Sequence, residues 1–322
     1  MSHIYFSNYE LKDDIQYFFY IGELKNYGLN LFLKDALTRI YGCKFDFIAI
    51  VPDVFEQYNY ENLIVINPGI DTFRCQYGPN VHCRVSSEEF MAAVSGSRKI
   101  RALIDRILRR QPNLYLYMFE SLCEMTLDEI PGVSILGPDK HIAKKLNNKA
   151  FQITELKNLV PVADFRVCRG YDELIRRTGQ LWDEWVHGIF VTKPYSAAGV
   201  SSMIAFSGQE IQERFDRADD TYVISRYIPH QHDPTVLAIA AGEDEIYIAG
   251  VADQCIADGN RFTGSTYPTV LPREIIEILE AHTRTIGSWL SKHGYRGIFG
   301  CDFIVTEQDE VFFLEINARK QG

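Results

Sequence analysis

What this 322-residue sequence lacks narrows it first. No apolar run reaches the roughly 20 residues that span a bilayer as a helix. Met1-Ser2-His3-Ile4-Tyr5 puts no basic stretch ahead of an apolar one, so we expect neither a membrane span nor a secretory leader. The seven cysteines, Cys43, Cys75, Cys83, Cys123, Cys168, Cys255 and Cys301, are odd in number and form no C-x-x-C pair. That argues against a disulfide framework and against a zinc site, and for reduced, mostly buried thiols. Positive charge is in deficit: Lys+Arg is 33 against 43 Asp+Glu, a net charge of −10, which is a poor composition for gripping nucleic-acid phosphates. Internal repeats and low-complexity linkers are absent as well. The expectation is a soluble, cytoplasmic protein without nucleic-acid or membrane partners.

What is present is ordinary globular material, 46% hydrophobic and 24% charged, in a chain long enough for two domains. The first 137 residues alternate strand-like and helix-like stretches. Phe45–Val51 is an apolar run closed by Pro52-Asp53, Leu63–Ile66 is closed by Asn67-Pro68-Gly69, and Leu114–Phe119 is opened by Gln111-Pro112-Asn113. Such continuous apolar strands suit a parallel sheet covered on both faces. Between them, Ile100, Leu103, Ile104, Ile107 and Leu108 keep the spacing of an amphipathic helix. Its other face carries Arg98, Lys99, Arg101, Arg106, Arg109 and Arg110 and reads as solvated, since no aromatics are interleaved with the charges.

Ile135-Leu136-Gly137-Pro138-Asp139 reads as strand end, turn and helix start, and we place a domain boundary there: an α/β domain over 1–137 and a second domain over 138–322. The second half reads as α+β. Strands are expected at Gly188–Lys193, ended by Pro194, at Thr221–Ile224 and at Ile246–Val251, then a long helix from Pro272 with Ile275, Ile278, Leu279, Ile286 and Leu290 on its apolar face, ended by Gly294. The last two strands, Ile298–Val305 and Val311–Ile316, flank the polar turn Glu307-Gln308-Asp309-Glu310 and predict an antiparallel hairpin. Closing it symmetrically pairs Thr306 with Val311 and Ile304 with Phe313, and puts Asp302 opposite Glu315. Asn317 then shares the face of Glu315, while Phe303, Val305, Phe312, Leu314 and Ile316 form a dry opposite face. Two carboxylates facing each other across a ladder repel, and solvent, a proton or a cation must offset that. Asp, Glu and Asn supply hard oxygen donors, which suit Mg²⁺ better than zinc. An ordinary solvated sheet face is the alternative.

At this point the residues resemble a family. Gly294–Phe303 together with Phe313-Leu314-Glu315-Ile316-Asn317-Ala318-Arg319 is similar to the metal-binding end of the ATP-grasp ligases. The resemblance implies an α/β domain followed by an α+β ATP-grasp fold whose two lobes clamp ATP, with 150–228 as the lid lobe. It implies that Asp302, Glu315 and Asn317 hold Mg²⁺, with Mn²⁺ as a substitute, and that Arg319 steadies the acyl phosphate or the carboxylate substrate. Lys149 looks like the family's first nucleotide lysine, and Lys193, in Val191-Thr192-Lys193-Pro194, like its second. Lys193 alternates with Val191 and Ile189 and is therefore expected to project from an apolar face, where a lysine without an anion would be costly. Ser196, Ala197, Ala198 and Gly199 stand where the family has its phosphate-covering loop. Arg226, Tyr227 and Ile228 resemble the hinge whose backbone meets adenine, with Asp233 as a stand-in for the ribose carboxylate. Arg261 is assigned to the substrate anion. The sequence stops just after Arg319, where many relatives continue with a further short segment.

The reaction this implies is activation of a carboxylate as an acyl phosphate, then attack by an amine from an amino acid or small peptide, with ADP and phosphate released. Loading an amino acid onto a carrier-protein thiol is the alternative, with the basic face of Arg98–Arg110 docking an acidic partner. A non-catalytic nucleotide sensor and an AMP-forming ligase are the others. A homodimer is left open.

Overall fold

A computed structural model describes residues 4–8, 10–52, 62–68, 85–195, 201–218, 220–257 and 261–320. The chain divides into two compact units, one ending at His141 and the other beginning at Ile142.

The first unit is built on strands β1 (Ile4–Asn8), β2 (Gln16–Ile21), β3 (Phe45–Val51), β4 (Leu63–Ile66), β5 (Leu114–Met118) and β6 (Val133–Ile135), in the order β1-β4-β3-β2-β5-β6. Every neighbouring pair is parallel except β1 and β4. Strand alternation sends Tyr17, Phe19 and Ile21 with Ile48, Ile50 and Ile64 under the helices α2 (Ser87–Gly96) and α3 (Arg98–Leu108). It sends Phe18 and Tyr20 with Phe47, Ala49 and Val51 to the other face, against Leu37 of α1 (Leu29–Tyr41). With both faces buried, alternation by polarity has no purpose, which is why these strands read as unbroken apolar runs. Ser86 and Ser97 cap α2 and α3 through their hydroxyls, and Ser86 and Glu89 form a reciprocal capping box. The six cations of Arg98–Arg110 are all exposed.

The second unit holds two antiparallel sheets. The smaller has the order β7-β10-β8-β9, from β7 (Phe165–Arg169), β8 (Ile189–Thr192), β9 (Ser202–Ala205) and β10 (Thr221–Arg226). Its own core gathers Tyr171, Leu174, Trp185, Ile189, Val191 and Tyr222. The larger has the order β13-β12-β11-β14-β15, from β11 (Pro234–Ala240), β12 (Ile246–Ala257), β13 (Arg261–Thr266), β14 (Gly297–Val305) and β15 (Val311–Asn317). The long helix over Arg273–Lys292 packs Ile275, Leu279, Ile286 and Leu290 into that sheet's core. Ile278 lies on the margin of the apolar stripe and is exposed, contrary to expectation. A Cβ at Gly287 would meet Ile246 Cγ2 at 2.7 Å, so the helix approaches the sheet more closely than any side chain there would allow. Two short helices, α4 (Lys140–Leu146) and α5 (Lys149–Leu156), precede the smaller sheet. No helix among the described residues is long and apolar enough to cross a membrane.

The closing hairpin corrects the expected register. Val305 pairs with Val311, Ile304 with Phe312 and Phe303 with Phe313, each one residue away from the symmetric closure. The reason is the turn. The Thr306 carbonyl accepts the Asp309 N–H, Thr306 N–H reaches the Glu310 carbonyl, and Asp309 is left-handed at φ 60°, so the loop has three residues rather than four. A bulge between the Phe303 and Asp302 rows then absorbs Leu314 and restores Asp302 opposite Glu315. Phe303, Val305 and Ile316 are buried as expected, but between the turn and the bulge the shifted register exchanges the two faces of β15. Phe313 is buried edge-on against Phe303, whereas Leu314 is 45% exposed and Phe312 only half-buried. The thiols are also less uniformly buried than expected: Cys168 and Cys301 are inside, Cys43 and Cys123 are half-buried and Cys255 is exposed, while Cys75 and Cys83 lie outside the described residues.

Candidate functional site

The bulged hairpin brings three oxygen-bearing side chains together. Asp302 on β14 is 8% exposed and Asn317 at the end of β15 is 6% exposed. Asn317 Nδ2 donates to Asp302 Oδ2 at 2.9 Å. From the other neighbouring strand, Thr235, in register with Asp302, donates its hydroxyl to Asp302 Oδ1 at 2.7 Å. A buried carboxylate is costly unless its oxygens are hydrogen-bonded, and both oxygens here are. Glu315, in register with Asp302, is ion-paired with the Lys149 ammonium.

Lys149 is the first residue of α5, whose N-terminus is capped by the Asn148 side chain accepting Phe151 N–H at 3.0 Å. Its backbone N–H donates to the Pro194 carbonyl at 3.0 Å, which ties the helix start to the segment just after β8. Lys193, immediately before, carries a second ion pair: its Nζ lies 2.6 Å from Asp220 Oδ2. The expectation that Lys193 projects from an apolar face is corrected. It lies one residue past the end of β8, its side chain is 36% exposed, and its ammonium meets a carboxylate while lying 6.0 Å from the Tyr222 ring centre. The Asp220 hydrogen bond holds the Lys193 ammonium above its ordinary pKa despite partial desolvation.

The remaining expected positions are distributed as follows. Arg319 is half-buried, two residues beyond Asn317. Arg261 opens β13, the edge strand, where it pairs with Ala257. Thr235 of the Asp302 row pairs with Ala252, so Arg261 stands five residues further along β12 and does not join the carboxylates. In the hinge stretch, Arg226 N–H donates to the Asp164 carbonyl and Tyr227 N–H to the Gly188 carbonyl, and the Ile228 carbonyl meets His230 Nδ1 at 2.7 Å. Asp233 Oδ1 lies 3.0 Å from the other nitrogen of the same ring. Burial pulls the His230 imidazolium down, but its bonds to Asp233 and the Ile228 carbonyl outweigh that and leave its pKa above the ordinary value. Ser196, Ala197, Ala198 and Gly199 lie outside the described residues.

Reading by motif missed several supports. Thr235 is the second residue of β11, a strand opened by proline, and has no motif of its own. Asp220 is the second of two adjacent acids, Asp219-Asp220, with no motif around them. Gln152 looks like a surface glutamine on a helix, yet it is 1% exposed and bonded to β15 at Ile316. Its signal is positional, a polar residue flanked by Phe151 and Ile153.

The donor set decides what the carboxylates can hold. Asp302, Glu315 and Asn317 offer oxygens only, and among the described residues no group of three or more His, Cys, Asp and Glu comes together. Two carboxylates and an amide suit a hard divalent cation that keeps several positions for water and phosphate oxygens. They do not suit zinc.

A family model described as ATP-grasp domain matches residues 146–322. A protein of Niallia circulans described as a butirosin acyl-carrier protein L-glutamate ligase is 24% identical over 203 residues, which is 59% of this chain and 46% of that protein. The match therefore spans about half of that curated relative's length. Among solved structures, an ADP complex of N5-carboxyaminoimidazole ribonucleotide synthetase superposes with a TM-score of 0.62 at 12% identity, covering 97% of this chain and 72% of that one. The biotin carboxylase domain of the Hydrogenobacter thermophilus 2-oxoglutarate carboxylase, solved with MgADP and bicarbonate, gives 0.66 at 14% identity, covering 94% and 64%. D-alanyl-alanine synthetase A of Vibrio cholerae O1 gives 0.58 at 11% identity, covering 94% and 88%. At these identities the likeness to solved structures is one of fold.

Proposed function

The chain belongs to the ATP-grasp family, and from that premise we propose that it is an ATP-dependent, ADP-forming ligase that joins a carboxylate to an amine. The observation that carries the reading is the hairpin row: Asp302 opposite Glu315, Asn317 bonded to Asp302, and Lys149 paired with Glu315. These are the charges needed on either side of a triphosphate. Asp302, Glu315 and Asn317 would hold Mg²⁺, or Mn²⁺ in its place, and the ion would neutralise charge spread over the phosphate oxygens. Lys149 and Lys193 would bind the phosphates directly, each exchanging its present carboxylate partner for an anion of the nucleotide. Arg319 would orient the substrate carboxylate as a planar, bidentate donor.

A carboxylate is a poor electrophile. Transfer of the γ-phosphoryl group to one of its oxygens releases ADP and leaves an acyl phosphate. The amine nitrogen then attacks the acyl carbon, phosphate departs with its bridging oxygen, and the nitrogen gives up a proton. Water must be kept out while the anhydride exists. In this reading Ser196, Ala197, Ala198 and Gly199 cover the phosphates, the hinge Arg226-Tyr227-Ile228 receives the adenine and Asp233 the ribose. Arg261 serves the substrate anion only if the β12–β13 hairpin moves toward it.

A second reading is favoured by one observation, the similarity to the Niallia circulans protein described as an acyl-carrier protein L-glutamate ligase. There the acceptor is a carrier-protein thiol in place of a free amine. One experiment serves both: screen amino acids and small peptides for ADP release, with and without a phosphopantetheinylated carrier protein as acceptor, then identify the product by mass spectrometry. An amide or thioester formed in step with ADP supports the ligase. AMP and pyrophosphate would mean adenylate chemistry, and nucleotide binding without ADP release would mean a sensor.

A further inference from the structure

Among the described residues, the edge strand that carries two of the candidate metal ligands meets only an isolated bridge, Val162 with Phe313, on its outer side. β15 ends its sheet, yet its outward backbone groups are met by side chains and carbonyls from elsewhere in the unit. Phe313 N–H donates to the Pro161 carbonyl at 2.8 Å, and Ala318 N–H donates to Asn147 Oδ1 at 2.7 Å. Between them stands Gln152. Its Oε1 accepts Ile316 N–H at 2.8 Å, and its Nε2 donates to the Ile316 carbonyl at 2.8 Å and to the Leu146 carbonyl at 2.8 Å. One amide thus makes three hydrogen bonds while 1% exposed.

The position of this clamp matters more than its number of bonds. Ile316 lies between Glu315 and Asn317. Its N–H belongs to the peptide plane shared with Glu315, and its carbonyl to the plane shared with Asn317. Fixing both planes fixes the directions in which those two side chains leave the strand. The same helix, three residues earlier, places Lys149 on the Glu315 carboxylate. Residues at i and i+3 share a helix face, so α5 grips β15 twice with one face: through the backbone at Ile316 and through the side chain at Glu315.

We infer that Gln152 is a positioning residue that aligns Glu315 and Asn317 for a divalent cation and couples that alignment to the nucleotide lysine on the same helix. The inference rests on the ligase reading of the site, and it predicts that metal affinity passes through a residue that touches neither metal nor nucleotide. Loss of such an outer support typically weakens metal binding by roughly 10-fold or more.

The test is Mn²⁺ titration, followed by electron paramagnetic resonance, of the wild-type chain with ADP, alongside Gln152→Met and Gln152→Glu. Met matches the volume and removes all three hydrogen bonds. Glu, held protonated by burial among the Leu146 and Ile316 carbonyls, keeps an acceptor for Ile316 N–H and one donor in place of two. The expected order of Mn²⁺ affinity is wild type, then Glu, then Met, with Met weakened roughly 10-fold. ADP affinity measured without metal should change much less. Hydrogen exchange at the Ile316 amide should quicken in Met and stay slower in Glu. Should the Met variant fail to fold, the Glu variant carries the same comparison. Equal Mn²⁺ affinity in all folded variants would overturn the clamp alone. A wild-type chain that binds no Mn²⁺ with ADP would overturn both the clamp and the reading of the site on which it rests.

Discussion

Replacing Thr235 by valine isolates the least conspicuous support of the site. Thr235 and Asp302 face each other in register, and the hydroxyl is 2.7 Å from Oδ1 of a carboxylate that is 8% exposed. Valine keeps the branched shape, so no cavity opens, but one oxygen of a buried charge loses a donor. Asn317 still serves the other oxygen at 2.9 Å. A hydrogen bond to a charged group is worth about 1.5–3 kcal/mol. We therefore expect Thr235→Val to cost about 2 kcal/mol, a fall of roughly 4–8 °C in the melting temperature of a domain of this size. Thr235→Ser, which keeps the hydroxyl, should recover most of that. Differential scanning calorimetry on the three proteins at neutral pH reads the result. A valine variant that melts within a degree of wild type, or a serine variant that melts as low as valine, would refute the reasoning.

Asp220→Asn removes the present partner of Lys193. Because both side chains are more than a third exposed, the pair is worth at most about 1 kcal/mol, so ADP binding should tighten by roughly 2- to 5-fold in isothermal titration. Weaker binding would mean that Asp220 organises the lysine rather than competing for it. Asp233→Asn probes the hinge through pH. The folded pKa of His230 is raised, so its protonated form stabilises the native state. That contribution is full below the ordinary histidine pKa of about 6.5 and is lost as pH rises through the higher folded value. The melting temperature of Asp233→Asn should therefore lie furthest below wild type near pH 6 and approach it near pH 8.5, and a pH-independent gap would contradict the assignment.

Sequence pattern carried some elements and not others, for reasons visible in the packing. β3 and β4 are legible because both faces of their sheet are buried and every residue is apolar. β2, with Tyr17-Phe18-Phe19-Tyr20-Ile21, has the same signature at the centre of that sheet and follows the same rule, though it was not among the expected strands. β11 was harder to see. Pro234 opens it, and Ala238 and Ala240 carry little strand preference, so only its pairing with β12 and β14 makes it a strand. The facing of Asp302 and Glu315 was legible although the register between them and the turn was not. Two one-residue differences, a three-residue loop and a bulge at Leu314, cancel before Asp302 is reached. Local alternation cannot reveal either of them, because each is set by turn geometry and by the burial of Phe313 against Phe303. The ion pairs of Lys149 and Lys193 were also beyond sequence reading. Their partners are 166 and 27 residues away along the chain, respectively, and neither forms part of a shared local motif.

The central claim is that the acidic row of the closing hairpin binds a divalent cation together with a nucleotide. Isothermal titration of ADP into the wild-type chain and into Glu315→Gln, each with and without Mg²⁺, tests it most directly. The account predicts wild-type affinity that rises with Mg²⁺, and a Glu315→Gln protein that melts normally, still binds ADP, and gains little from the metal. Equal Mg²⁺ enhancement in both proteins would contradict it.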